Sequence, residues 1–350
     1  MAGRGLEKYA VYPKIIPADV SGSLSAELHV PFAHLNYSFT VPVSRPLYEG
    51  AKASSKAASV PAGIGDAWLA GYYRAFALSP LLVHFYADLL KPFRNIRREK
   101  NLDADGYLEL LTAYVQALPY DTEKTASISL APRFPVETVA DGRGICSDKS
   151  LLLAGMLAVE GYAAAVLHFQ KENHLAVGIP APDGFDFLGT GYAVIETTAV
   201  SYVGTTPCGL EVCRTRPKVI RIGNGTKTYS AVRDTAKILA VIAELEEKLN
   251  PDGRMTAELL RLKKSIEEQT AVLRTAKAAI EQNIYLTAED LQKQQNAYKR
   301  RLAVLQRTIH QYNMLAQEFR SAQELAVFIR NNRLDRAAVS KRLAGRTERP

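Results

Sequence analysis

The chain has 350 residues, of which 47% are hydrophobic and 23% charged, and a net charge of +8. These proportions are those of a globular protein large enough for more than one structural unit, and with no uninterrupted run of ~18 apolar residues they exclude a membrane-spanning helix. Three cysteines, Cys146, Cys208 and Cys213, are too few and odd in number for a secreted disulfide framework, and MAGRGLEKYAVYPKII lacks the apolar core of a signal peptide, so a cytoplasmic location is expected.

In chain order, AELHVPFAHLNYSFTVPVSRP is rich in Val, Phe and Tyr and predicts one or two strands. EGAKASSKAASVPAG, residues 49–63, is small and polar and predicts an exposed loop. Helices are predicted at about 66–77, 79–98 and 103–118, with Pro80 in a first turn and Pro119 as a stop. An apolar helix over 146–160 ends at Gly161, followed by strands at 163–169, 174–179 and 192–198. KVIRIGNGTKTY is β-like, and its Asn-Gly signals a hairpin rather than a phosphate loop, because the G-x-x-x-x-G-K-[ST] spacing is missing.

From about residue 229 the pattern changes to long helices. Leu259, Leu262, Ile266, Leu273, Ala276 and Ile280 keep a 3/4 spacing with Gln269 in the gap. Leu291, Tyr298, Leu302, Leu305, Ile309 and Tyr312 do the same around Gln295, which together predicts an antiparallel coiled-coil hairpin. Thr287 and Asp290 supply an N-cap at its turn, and Ile238, Ile242, Leu245 and Leu249 suggest a third helix before Pro251. Much of the positive charge lies in RNNRLDRAAVSKRLAGRTERP, which has no aromatic residue to stack on bases. A solvated basic tail is therefore expected and a nucleic-acid partner is not. The expected divisions are 1–103, a β/helical segment packing on the core; 104–228, the core; 229–322, the helical hairpin; and 323–350, the tail.

Within DGRGICSDKSLLLAGMLAVEGY, Cys146 stands between a glycine turn and a helix start. There the helix dipole and free N–H groups favour thiolate, and could stabilise an oxyanion. Taken alone, a small packing residue explains Cys146 equally well. A nucleophilic cysteine needs a base, and the base an orienting group. In a hairpin centred on residue 185, His174 falls directly opposite Glu196, with Cβ atoms ~5 Å apart. In that register Leu175, Val177, Ile179, Ala193 and Ile195 face the core. His168 is the rival base, but it has no carboxylate in register; His29, His34, His84 and His310 read as structural.

YVQALPY…FPVETVADGRGICSDKSLLLAGMLAVEGY…NHLAVGI…YAVIETT, about residues 112–198, resembles the transglutaminase-like superfamily of papain-like thiol enzymes, closest to its microbial cysteine proteases. The resemblance implies an α+β fold whose papain/transglutaminase-like core packs the nucleophile's helix on an antiparallel sheet. It implies Cys146 as nucleophile, His174 as general base and acid, and Glu196 as the residue orienting His174, where the family more often has aspartate. Gln116 is the candidate oxyanion-supporting side chain, and Asp148 matches the motif as a helix-start stabiliser.

The expected activity is acyl transfer on peptide or protein amides through a thioester, hydrolysis rather than cross-linking, with no metal or organic cofactor. The alternative is a scaffold with a weak or inactive site that binds a protein partner, or itself, through the helical hairpin. A metal site from Cys146, Cys208, Cys213 and a histidine is disfavoured, since PCGLEVC lacks a C-x₂-C knuckle; Cys208 and Cys213 read as strand or turn residues.

Overall fold

The computed structural model describes residues 7–127, 130–205, 215–282 and 287–347, so Cys208 and Cys213 lie outside the described residues. In order, the elements are β1 (Ser23–Phe32), β2 (Leu35–Ser44), α1 (Arg45–Ala53), α2 (Trp68–Ala77), α3 (Val83–Glu99), α4 (Ala104–Ala117), α5 (Thr122–Thr125), α6 (Pro135–Asp141) and α7 (Cys146–Val159). They continue with β3 (Ala165–Phe169), β4 (His174–Pro180), β5 (Tyr192–Ile195), β6 (Lys218–Arg221), α8 (Val232–Leu249), α9 (Arg254–Glu281), α10 (Ala288–Asn331) and α11 (Arg336–Thr347). The fold is mixed α+β with antiparallel sheets: a β1–β2 hairpin, and a four-stranded sheet in the order β5-β4-β3-β6. Among the described residues no helix is long and apolar enough to cross a membrane.

The chain divides into two compact units, Met1–Lys237 with Asn332–Pro350, and Ile238–Asn331. In the first, α7 is apolar on every side beyond its polar first turn, which fits a helix enclosed by its neighbours. Leu151, Leu152, Leu153, Met156 and Leu157 are all fully buried. One face of the sheet joins that core through Leu175, Val177, Ile179, Ala193 and Ile195, as the alternation requires. Residues from β1, α2 and α3 belong to the same cluster, so the first 103 residues share one core with the segment that follows.

Three local expectations are corrected. Residues 49–53 are the end of α1 rather than loop, started by the Ser44 hydroxyl, which accepts from the Leu47 N–H at 3.5 Å. Gly50 and Ala51 are buried there. The Asn224-Gly225 signal does not turn a hairpin; Lys227 instead bridges Tyr162 in parallel. Gly225 is needed for close approach, since a Cβ there would lie 2.0 Å from the Gly161 carbonyl oxygen. The expected solvated tail is partly packed: Arg336 pairs with Glu109 at 2.5 Å and Asp234 at 3.3 Å, and the Ala33 N–H donates to Leu334.

In the second unit α9 and α10 pack on each other. The Gln269 amide donates to the Thr308 hydroxyl at 3.3 Å, and Thr287 caps α10 by accepting from the Asp290 N–H at 3.1 Å. Leu262, Leu273 and Leu305 are buried; Ile309, expected inside, is exposed, and neighbouring Thr308 is buried instead. The helical region starts with α8 at Val232, and Tyr229, Ala231 and Val232 belong to the core of the first unit, while the second unit begins at Ile238.

Candidate active site

Cys146 is the first residue of α7, and the turn before it is tightly constrained. Gly142 takes φ 64 to end α6. The Gly144 N–H donates to Pro119 at 3.2 Å, and its carbonyl accepts from the Asp121 N–H at 3.3 Å. A Cβ on Gly144 would sit 2.9 Å from the Asp148 Cβ, so only glycine lets the turn close. Fully buried Asp148 receives the Ile145 N–H at 3.1 Å, as a helix-start acid should, together with the Arg133 N–H and Lys124 Nζ, both at 2.7 Å. The first N–H groups of α7 have no carbonyl within their own helix, the setting that favours an anion at Cys146.

His174 opens β4, and its imidazole is shared between two groups. Nε2 meets Glu196 Oε2 at 2.9 Å. The Cys146 side chain acts on the same ring, and with Nε2 committed to Glu196, Nδ1 is the nitrogen left to face the sulfur. Burial opposes charge on the ring, but Cys146 and Glu196 together outweigh it and hold its pKa up to about 9. Burial also works against the Glu196 carboxylate, yet it is held below the usual range by His174 and Thr198. Its second oxygen receives the Thr198 N–H at 2.6 Å and the Thr198 hydroxyl at 2.5 Å.

The expected register is corrected by two residues. Val177 pairs with Ile195 and Gly178 with Val194, so β5 ends with Glu196 one step beyond the ladder, beside Ala176. An even shift keeps both side chains on the same face, and the carboxylate reaches His174 along the diagonal. The intervening loop carries left-handed residues at Gly184, Leu188, Gly189 and Gly191, a geometry that loop length alone does not specify.

Gln116, the candidate oxyanion support, is engaged by the backbone. It is buried, and its amide donates to the backbone carbonyls of Glu196 at 2.8 Å and Ser201 at 3.1 Å, which holds the segment bearing Glu196. His168 pairs with Leu175 across β3–β4 and stands edge-on to Tyr73 at 5.9 Å. Burial and the Lys218 charge keep its pKa low. His29, His34, His84 and His310 are exposed, although His29 lies 3.9 Å from Glu27 and His34 3.7 Å from Asp335.

Two residues that the sequence pattern did not single out stand at the site. Tyr120 bridges Gly144, and the residue is 42% exposed. Burial, with the charges of Cys146, Asp148 and Glu196, raises its pKa and keeps it a hydrogen donor. Lys149 is fully buried; its ammonium donates to the carbonyls of Leu118 at 2.7 Å and Gln116 at 3.3 Å, across the end of α4. Burial lowers its pKa to about 8 against the pull of Glu196. A lysine inside an apolar helix gives no signal in hydropathy, and a tyrosine in a loop gives none in periodicity.

Among the described residues no three His, Cys, Asp or Glu side chains converge as a metal centre would. Comparison with family models, curated proteins and solved structures finds no match.

Proposed function

We propose that the protein is a thiol enzyme that cleaves amide bonds by acyl transfer through a Cys146 thioester, with a transglutaminase-like triad of Cys146, His174 and Glu196. The observation that carries this reading is the imidazole of His174, bonded to Glu196 at 2.9 Å, with Cys146 at the start of α7 acting on the same ring. That is the arrangement of nucleophile, base and orienting acid that acyl transfer needs. A nucleophile's helix packed on an antiparallel sheet, with His174 opening β4 and Glu196 just past the end of the adjacent β5, supports a papain/transglutaminase-like core.

In this mechanism the proton of the thiol rests on His174 and the sulfur attacks the amide carbon. The developing oxyanion lies among the first N–H groups of α7 and the Tyr120 hydroxyl. His174 gives its proton to the amine as the C–N bond breaks, leaving a thioester. It then takes a proton from water, whose oxygen displaces the sulfur to release a carboxylic acid, and the thiol is reprotonated. Glu196 holds the ring in one tautomer and stabilises its charge. The reading uses no metal or organic cofactor.

The test is the alkylation rate of Cys146 against pH in the wild type and in His174→Ala, read by peptide mass spectrometry. Fast labelling well below pH 8, lost in His174→Ala, is expected. Labelling that rises only near the pKa of a free thiol in both proteins would refute it.

A second reading is favoured by exposed Leu260, Val272, Val304, Ile309 and Met314 on α9 and α10. There the two helices form a coiled-coil hairpin that binds a protein partner or a second copy. Cys146→Ala would then leave partner binding intact, and light scattering would detect self-association.

A further inference from the structure

The two partners of Cys146 both stand where strands run out. His174 is the first residue of β4, paired with Phe169 at the end of the β3–β4 ladder. Glu196 lies one residue past the last pair of the β4–β5 ladder, Val177 with Ile195. Strand ends have few backbone bonds to hold them, yet the imidazole must keep both contacts within a few tenths of an ångström.

One side chain spans both ends. Ser150 lies on α7 four residues after Cys146, on the same face one turn along. Its Oγ donates to the carbonyl of Leu175, next to His174, at 2.9 Å. It is also 3.1 Å from the hydroxyl of Thr197, next to Glu196. A serine has one hydroxyl proton, and here Leu175 takes it, so Thr197 donates to Ser150. Ser150 and Thr197 are both fully buried.

A helical serine usually turns its hydroxyl back to the carbonyl four residues earlier, which would be that of Cys146. Ser150 gives its proton to another element, inside a stretch where alanine would suit the helix better and carry no polar group to bury. Gln116 also steadies Glu196, but from α4. Ser150 links the helix of the nucleophile to the chain beside both partners.

We infer that Ser150 is a positioning residue which, with Thr197, fixes His174 and Glu196 relative to Cys146; the inference rests on the reading of those three residues as the reacting set. The hydroxyls act as one chain, so losing either breaks the same connection.

The test compares wild type, Ser150→Ala, Thr197→Val, the double variant and His174→Ala. The buried hydroxyl of Thr235 on α8, which donates to the Ala231 carbonyl at 3.3 Å and lies 3.4 Å from the Tyr229 hydroxyl, provides Thr235→Val as a control. The readouts are circular dichroism, thermal midpoint and the pH profile of Cys146 alkylation by iodoacetamide. Ser150→Ala and Thr197→Val are expected to stay folded and to lose on the order of tenfold or more in labelling rate below pH 7, the scale on which small misplacements act. The double variant should lose no more than either single variant, and Thr235→Val should lower the midpoint without changing the profile. Should Ser150→Ala not fold, Thr197→Val alone carries the test. A wild-type profile in Ser150→Ala or Thr197→Val, with His174→Ala impaired, would overturn the inference and leave the triad standing. A wild-type protein that labels no faster than His174→Ala would instead overturn the triad and the inference together.

Discussion

Glu196 reaches His174 along a diagonal: its place in the strand register is beside Ala176, two residues away, and still its Oε2 stands 2.9 Å from the imidazole Nε2. A side chain directly opposite could be short, whereas the diagonal in an antiparallel pair is ~7–8 Å between backbones and needs length. A glutamate at position 196 has the length that this register requires. Glu196→Asp should lose the contact and about tenfold in the rate at which an activated ester such as p-nitrophenyl acetate acylates Cys146. Glu196→Gln keeps the reach but removes the charge, and should lose about a hundredfold or more. Equal rates for Asp and Glu at this position would show that the diagonal is not used.

Stability should fall as the ring of His174 deprotonates. Its folded pKa of about 9 lies above the ordinary 6.5, so its contribution is fully present below 6.5 and is lost as pH rises through 9. Glu196, held low, contributes above the ordinary carboxylate range and loses its contribution in acid. The difference in unfolding free energy between wild type and His174→Ala should therefore be largest near pH 6, on the order of 2 kcal/mol, and shrink toward pH 9. Urea titrations at a series of pH values would measure it, and a difference independent of pH would contradict the charged ring.

Much of this site was legible in the sequence, for identifiable reasons. Even spacing puts His174 and Glu196 on one face in either register, so their partnership survives an error of two residues. The glycine turn and apolar run locate α7 to within a residue at each end. Gln116, Lys149 and Ser150 were not legible in their roles, because each acts on a carbonyl brought near by folding. Likewise Asn224-Gly225 carries the composition of a hairpin but serves a close backbone contact with Gly161. Local composition records what a segment can do, and tertiary contacts select among the options.

Lys149 should oppose stability and support the site. Burial holds its pKa near 8, below its ordinary 10.5, so the folded state binds fewer protons than the unfolded one between those values and stability from this group rises with pH there. Lys149→Met removes the buried charge and is expected to unfold no more easily than wild type at pH 7, its relative advantage disappearing between pH 8 and 10.5. It also removes the cation near Glu196 and the donor to Gln116 and Leu118, so labelling of Cys146 should slow severalfold. A more stable variant with slower labelling would separate the two roles; one equally fast would make Lys149 purely structural.

Tyr120 should affect acylation and spare alkylation. Its hydroxyl feels the charges of Cys146 and Glu196, and iodoacetamide displacement builds no oxyanion on a carbonyl. Tyr120→Phe is expected to slow acylation by p-nitrophenyl acetate at least tenfold, within the range for losing one such donor, while the alkylation profile stays at wild type. A parallel loss in both reactions would place Tyr120 in positioning rather than in contact with the substrate.

Arg336 should matter for stability far more than a basic tail would suggest. Its guanidinium meets Glu109 at 2.5 Å and Asp234 at 3.3 Å, with only 13% of its side chain exposed, and Glu109 also receives the Tyr229 hydroxyl at 2.6 Å. Burial raises the pKa of Glu109 even with Arg336 beside it. Arg336→Ala would leave that carboxylate buried without its cation and should cost roughly 3 kcal/mol. Because the unpaired acid would then take up a proton, the loss should ease as pH falls through the carboxylate range. Glu109→Gln in the Arg336→Ala background should recover part of the stability at neutral pH, and failure to recover any would show that Arg336 acts through packing alone.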